Sequence, residues 1–417
     1  MEHRWLILAD DLTGAADSAS AFARRRLPAA VVWGEARPQD HADAMALAYD
    51  VATRELDAVA AARRHGDALR RFLLPGMRVF KKMDSTLRGH PAEEVAAMLD
   101  LILARDPGMR VVIAIAFPAT GRTVRGGQVF VHGVHLPSTD YWPENRDPNL
   151  ANLVDVFESA GIHALHYSLS DVRAESPALS FALAKEVVMC DAETDDDLER
   201  IAAATLAGSG AVFCVGSAGF AHALAQVVSR SNTRRTISPT CAAVTNGALV
   251  VVGSRTQATR AALAKLLALE NVEGVSIDSS LLDGDLNATS HAALASAVGS
   301  SLARGIDVVV DIEQPASLQG SGNPQLVSAL ARLLQAPARQ ASALVATGGE
   351  TAAALLAHLG VKGLRLVDEI EPGIPLGLTL GEVSVPVVTK AGGFGNEECL
   401  KRILSRLRFI RHTGVVA

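Results

Sequence analysis

The sequence predicts an α/β protein of two domains, each a mainly parallel sheet flanked by helices. Short apolar runs, continuous as strands buried on both faces are, alternate with stretches of helical period along most of the 417 residues. The alternation breaks at SRSNTRRTISPTCAAVTNG, residues 229–247, which is polar, aperiodic and contains a proline. Such a segment reads as a linker. Strands and helices then resume, so the expected domains are residues 1–229 and 248–417, with 230–247 between them.

Trp5 to Ala9 (WLILA) is the first strand, running into Asp10 and Asp11 and then a helix over LTGAADSASAFARR with Thr13 as its expected N-cap. A single cap needs a single carboxylate, so two aspartates point to a further use. Strands at Ala30–Trp33 and Ala46–Tyr49 follow, the second leading to Asp50, Thr53 and Arg54 before a helix at Leu56–Phe72. Arg54 either forks onto a carboxylate, which its planar donors match, or sits exposed in a first helical turn. A strand at Met77–Phe80 then meets KKMDSTLRGHP, where Lys81, Lys82, Asp84, Ser85, Thr86 and Arg88 crowd the strand's carboxyl end ahead of a helix from about Ala92. Ligands of open α/β sheets bind at that edge. Cations, a carboxylate and small hydroxyl side chains suit a polar, acidic metabolite.

After the strand VVIAIAF comes PATGRTVRGGQVFVHGVHLPSTDY, which lacks helical period and reads as a long loop or hairpin. Arg122, Thr123, Arg125, Gly126 and Gly127 are candidates for holding an anion there. The hairpin at Gly127–Leu136 is a candidate subunit contact for a homodimer. His132 and His135 have no acidic or thiol companions at ligand spacing, so no zinc site is expected. The first half continues with a helix at 150–160, strands at His163–Tyr167 and Glu186–Cys190, a helix at Asp195–Ala207, a strand at Ala211–Val215 and a helix at Phe220–Val228.

In the second half the expected strands are Leu249–Val252, Gly274–Ile277, Asp307–Ile312 and Ala343–Ala346, with helices at Ser290–Ala303 and Pro324–Leu334. Three times a strand passes through a glycine turn into a helix: at Gly253 and Ser254, at Gly348 to Thr351, and at Lys390 to Gly395. Such turns present backbone N–H groups beside a helix start, and together they favour a nucleotide's phosphates. No GxxxxGK[ST] is present, and no GxGxxG opens either domain, which sets aside a Walker-type site and hydride transfer.

Composition narrows the partners. Apolar residues make up 49%, aromatic residues 4%, and the net charge is −6. A nucleic-acid groove needs basic stripes and stacking rings, so small-molecule chemistry is favoured. Cys190, Cys214, Cys241 and Cys399 are scattered without a CxxC pair and read as buried free thiols. Five apolar residues before Asp10 are too few for a signal peptide, and no run approaches the ~18 residues of a membrane span. A soluble cytoplasmic protein without a membrane partner is expected.

Five segments, ADDLTGAADSA (9–19), KKMDSTLRGH (81–90), VVGSRT (251–256), ATGGETA (346–352) and TKAGGFG (389–395), resemble the four-carbon acid sugar kinase family in the family's own order. Within it the chain looks most like the D-threonate kinases, in part through Leu12. The resemblance implies one domain for the sugar acid and one for ATP, with phosphoryl transfer to the terminal C4 hydroxyl. It implies a substrate site at Asp11, Arg54, Lys82, Met83, Asp84 and Ser85, with Arg88 close by, and a nucleotide site at Ser254, Gly348, Gly349, Glu350, Thr351, Gly392 and Gly393. Asp84, then Asp11, is the expected catalytic base, with Lys82 assisting. Mg²⁺ is the expected companion of ATP, its ligands unassigned because no carboxylate cluster adjoins the glycine turns. Closure across the linker is expected to exclude water. D-erythronate, L-threonate and 3-oxo-tetronate are the alternative acids, and a non-enzymatic sugar-acid sensor is the more distant alternative.

Overall fold

Trp5–Ala9 (β1), wholly buried, is central to the sheet of the first unit. The computed structural model describes residues 4–143, 146–175, 187–207, 211–231, 240, 244–254, 256–279, 282, 288–313 and 324–416. Its two units are Met1–Thr236 and Ile237–Ala417. Of the expected linker, residues 232–239 and 241–243, Cys241 among them, lie outside the described residues, as does Glu186.

The first unit holds β2 (Ala29–Trp33), β3 (Ala46–Asp50), β4 (Arg78–Lys82) and β5 (Arg110–Ala114). Three short strands follow, β6 (Arg122–Arg125), β7 (Gln128–Val131) and β8 (Val134–His135), then β9 (Ala164–Tyr167), β10 (Val187–Cys190) and β11 (Val212–Gly216). Eight of these form one parallel sheet in the order β2-β3-β1-β4-β11-β5-β10-β9. Parallel strands require crossovers, which the helices Leu12–Ala23, Ala58–Phe72, Pro91–Arg105 and Asp195–Leu206 help supply, and the helix Ala218–Ser231 follows the last strand. The chain leaves β1 toward β2 and leaves β4 toward β5 on the opposite side. The switch point therefore lies between β1 and β4, where a crevice opens at the strands' carboxyl ends.

β6, β7 and β8 make a separate antiparallel sheet. Its two-residue turns, Gly126-Gly127 and His132-Gly133, all have positive φ, the geometry that matches strand twist in tight hairpins.

The second unit repeats the plan. Its strands are β12 (Leu249–Val252), β13 (Val272–Asp278), β14 (Asp307–Glu313), β15 (Leu344–Thr347), β16 (Val361–Glu371), β17 (Ile374–Gly381) and β18 (Pro386–Lys390). They order as β13-β14-β12-β15-β18-β17-β16, parallel as far as β18 and antiparallel thereafter. Here the switch point lies between β12 and β15. The long β16–β17 hairpin was not expected; β16 is buried at Val361, Gly363, Leu364, Leu366 and Val367 and exposed at Lys362 and Arg365, and bulges shift its register, which breaks the simple two-residue alternation of a strand. The core of this unit joins Val250, Val252, Val345 and Val388 to Leu400, Ile403 and Leu407 of the last helix, Cys399–Thr413.

Two local expectations are corrected. The strand expected at Met77–Phe80 runs on through Lys81 and Lys82, so both lysines are buried strand residues. Asp11, not Thr13, caps the first helix, its Oδ1 accepting from the Gly14 N–H at 2.8 Å. Among the described residues no helix is long and apolar enough to cross a membrane.

Candidate active site

At the first switch point, carboxylates from β1 and β4 converge on one guanidinium. Arg54 donates from Nε to Asp10 Oδ2 (2.8 Å), from Nη2 to Asp10 Oδ1 (3.0 Å) and from Nη1 to Asp11 Oδ2 (2.6 Å), and Nη2 lies 3.4 Å from Asp84 Oδ2. The fork does match carboxylates, and they are the chain's own. Arg54 thus organises three aspartates, and its donors are engaged before any ligand carboxylate arrives. Burial would discharge it, but Asp10, Asp11 and Asp84 outweigh that and hold its pKa well above the ordinary value.

Each aspartate is fixed differently. Burial pushes Asp10 up, yet Arg54, Lys81 and Lys82 pull it down to about 2. Asp11 also accepts from Thr13 Oγ1 at 2.5 Å, so the cap residue faces the site as well. Asp84 Oδ1 accepts from the backbone and the hydroxyl of Thr86, and its Oδ2 accepts from Arg88 Nη2 at 2.6 Å. Burial again opposes, and Arg88, Arg54 and Lys82 hold Asp84 well below the carboxylate range. A carboxylate so heavily donated to is a weak proton acceptor. Such donation argues against the proton-accepting role expected of Asp84.

Lys82 Nζ donates to Met83 O at 2.6 Å, and Met83 N–H donates to Gly216 O at 2.7 Å, tying the loop after β4 to β11. Among the described residues nothing hydrogen-bonds the Ser85 hydroxyl, which is available to a ligand. Arg88 is half-exposed, the cation of the cluster most open to solvent. Behind the site the buried pair Lys81–Glu94 (2.8 Å) receives Thr53 Oγ1 on the other Glu94 oxygen at 2.9 Å. Asp10, Asp50 and Lys81 stood at strand ends in the sequence without being assigned to a ligand, and Glu94 was not singled out at all. Asp50 stood at a strand's carboxyl end, as Asp10 does, and that was the available signal.

At the second switch point the glycine turns sit side by side because β12, β15 and β18 are neighbours. A Cβ on Gly253 would lie 1.9 Å from Thr351 Oγ1, and one on Gly392 would lie 2.4 Å from Ser254 Oγ. Only glycine permits so close an approach. Gly348 N–H donates to Lys390 O (2.8 Å), Thr256 Oγ1 donates to Gly392 O (2.8 Å), and buried Lys390 reaches Ala391 O and Thr259 Oγ1, both at 3.2 Å. Ser254, Gly348, Thr351 and Gly392 are therefore one surface. Gly348 caps the helix Gly349–His358 directly, with Glu350 in its first turn, so a helix N-terminus opens on this surface. The third turn differs from expectation: the last helix starts at Cys399, and Gly392 and Gly393 lie in a loop ahead of it.

The expected anion at Gly126 and Gly127 is internal. Their N–H groups donate to the buried Asp191 carboxylate at 2.7 and 3.0 Å, away from either switch point in sequence and strand order. Arg122 is buried over the Tyr141 ring.

Comparison with known proteins decides the family. A family model described as "Sugar-binding N-terminal domain" matches residues 5–224, and one described as "Nucleotide-binding C-terminal domain" matches residues 249–400. A D-threonate kinase of Cupriavidus necator is 37% identical over 408 residues, covering 95% of this chain and 96% of its own. The chain belongs to the four-carbon acid sugar kinase family. A D-threonate kinase of Bordetella bronchiseptica is similar at 33% identity over 98% of both chains. The crystal structure of a Haemophilus influenzae protein shares the fold, with a TM-score of 0.71 at 21% identity over 97% of this chain and 100% of that one. In this sugar-acid kinase the aspartate–arginine cluster lies in the segment matched as sugar-binding, and the glycine turns lie in the segment matched as nucleotide-binding.

Proposed function

We propose that this kinase transfers the γ-phosphoryl group of ATP to the C4 hydroxyl of D-threonate, giving 4-phospho-D-threonate. The observation that carries the reading is the convergence of Asp10, Asp11 and Asp84 on Arg54 at a switch point, with half-exposed Arg88 at its rim and buried Lys82 close by. Fixed acceptors select a polyhydroxylated ligand, and nearby cations select an acid. Asp11, Arg54, Lys82, Met83, Asp84, Ser85 and Arg88 bind the substrate. Arg88 and Lys82 face its carboxylate, Asp11 and Asp84 accept from its hydroxyls, and Arg54 holds those aspartates in place. Carboxylates locked by second partners lose little freedom on binding, which is how preorganisation raises affinity.

Ser254, Gly348, Gly349, Glu350, Thr351, Gly392 and Gly393 bind ATP, whose phosphates match the backbone N–H groups at the start of the helix Gly349–His358. Mg²⁺ held mainly by phosphates needs few protein carboxylates. The exposed Glu350, in the first turn beside Gly348, fits that need and would hold it. The ion's chemistry there is neutralisation of phosphate charge.

The test is ADP release with ATP and a panel of D-threonate, D-erythronate, L-threonate and 3-oxo-tetronate, compared as kcat/KM. D-threonate is expected to lead by at least tenfold, about 1.4 kcal/mol of differential transition-state binding, with ³¹P NMR showing a C4 phosphate monoester. A different leading acid would overturn the substrate, and ADP release without an ester would overturn the reaction.

A further inference from the structure

Asp50 closes β3 in parallel register with Ala9 of β1, so it stands beside Asp10 and Asp11 at the same edge. It is 7% exposed. Its Oδ1 accepts from the Ala52 N–H at 2.8 Å, and Ala52 has a left-handed backbone, φ 53°. Among the described residues no donor reaches its Oδ2, and no cation contacts it. Asp10, Asp11 and Asp84 each touch a guanidinium, and Asp50 is the carboxylate of the group that does not.

We propose that Asp50 is the catalytic residue that accepts the proton of the attacking hydroxyl. As the substrate oxygen bonds to the γ-phosphorus, its proton passes to Asp50 Oδ2. The bond from γ-phosphorus to the β–γ bridging oxygen breaks, ADP departs with that electron pair, and Asp50 returns the proton to solvent. The role rests on the acid binding at this cluster, as proposed above.

The electrostatics agree with the geometry. Burial, then Asp11 and Asp10, raise Asp50 to about 7, against the Ala52 N–H and Arg54. From β2 no titratable side chain faces it, since that strand is AAVVW. A base is most effective with a pKa near the working pH. Asp10 at about 2 and Asp84 well below the usual range hold protons more weakly.

A purely structural Asp50 would only fix the turn at Ala52. Asp50→Asn separates the two, because the amide oxygen still accepts from Ala52 while the side chain cannot take a proton. The assay uses the full chain, ATP and whichever acid of the panel the wild type phosphorylates best, so an error in the named substrate leaves this test intact. Asp50→Asn is expected to lower kcat at least 100-fold, with the KM values for acid and ATP within threefold. Wild-type kcat is expected to rise as pH increases through about 7, and that limb is expected to vanish in the variant. Its melting temperature should equal or exceed the wild type's at pH 8, where an ionised, buried Asp50 is a burden. Asp50→Glu should recover at least tenfold of the lost kcat. A kcat for Asp50→Asn within threefold of wild type, or an unaltered limb near pH 7, would overturn the proposal.

Discussion

Replacing Arg54 by methionine keeps most of the side chain's length and removes only its charge and donors. The structure says what that strands: Asp10 loses two hydrogen bonds, Asp11 loses one, and Asp84 loses a neighbouring cation, all in buried or nearly buried positions. Asp10 alone indicates the scale. Its pKa falls from 3.8 to about 2 in the fold, and at about 1.4 kcal/mol per unit that is on the order of 2–3 kcal/mol, shared among Arg54, Lys81 and Lys82. Removing one partner of a buried ion pair typically costs about 3–5 kcal/mol. For a unit of this size, that corresponds to a melting temperature lower by roughly 10 °C.

The pH dependence gives a sharper check. A carboxylate whose folded pKa is depressed contributes stability above its unfolded pKa, and that contribution disappears as pH falls through the folded value. For Asp10 the window runs from 3.8 down to about 2. Calorimetric melts of wild type and Arg54→Met between pH 8 and pH 2.5 should therefore show a gap that is largest at pH 8 and narrows as pH falls, first as the stranded carboxylates, pushed up by burial, take protons in the variant, and further as Asp10 of the wild type titrates towards about 2. Adding Asp10→Asn to Arg54→Met should recover part of the loss, since one stranded charge is gone. A variant melting within 2 °C of wild type at pH 7, or a gap that persists undiminished in acid, would refute Arg54 as the organiser of this cluster.

Two further outcomes follow from the same geometry. Asp84→Asn removes the charge that holds Arg88 and faces Arg54, so kcat/KM for the acid should fall at least 100-fold with nucleotide Kd within twofold; near-normal turnover would remove Asp84 from the site. Gly392→Ala places a methyl group 2.4 Å from Ser254 Oγ, which should raise the KM for ATP at least tenfold and leave the KM for the acid unchanged. Equal changes in both would mean that this turn does not serve the nucleotide.

Much of the site could be read before any coordinates. A strand buried on both faces must be apolar throughout, so polar residues at its carboxyl end stand out against it, and Asp10, Asp11, Lys82, Asp84 and the glycine turns were visible for that reason. Lys81 shows the limit. Read as part of a charged loop, it is a fully buried strand residue paired with Glu94, thirteen positions away and on a different element. The β16–β17 hairpin escaped notice because its turn and strand signals are spread among glycines and prolines. Gly126 and Gly127 did mark an anion, and only the fold identified it as Asp191.

What the sequence determined by itself was the alternation of strand and helix, the two halves, and the residue types gathered at each strand's end, all of them local or periodic properties of a chain. Only the tertiary structure decided which charges neutralise one another. Strand order sets β1 between β3 and β4, so Arg54 meets Asp10, Asp11 and Asp84 while Asp50, at the same edge, meets no cation among the described residues. Protonation depends on burial and on distance through space, and neither is written in the spacing of residues along the chain.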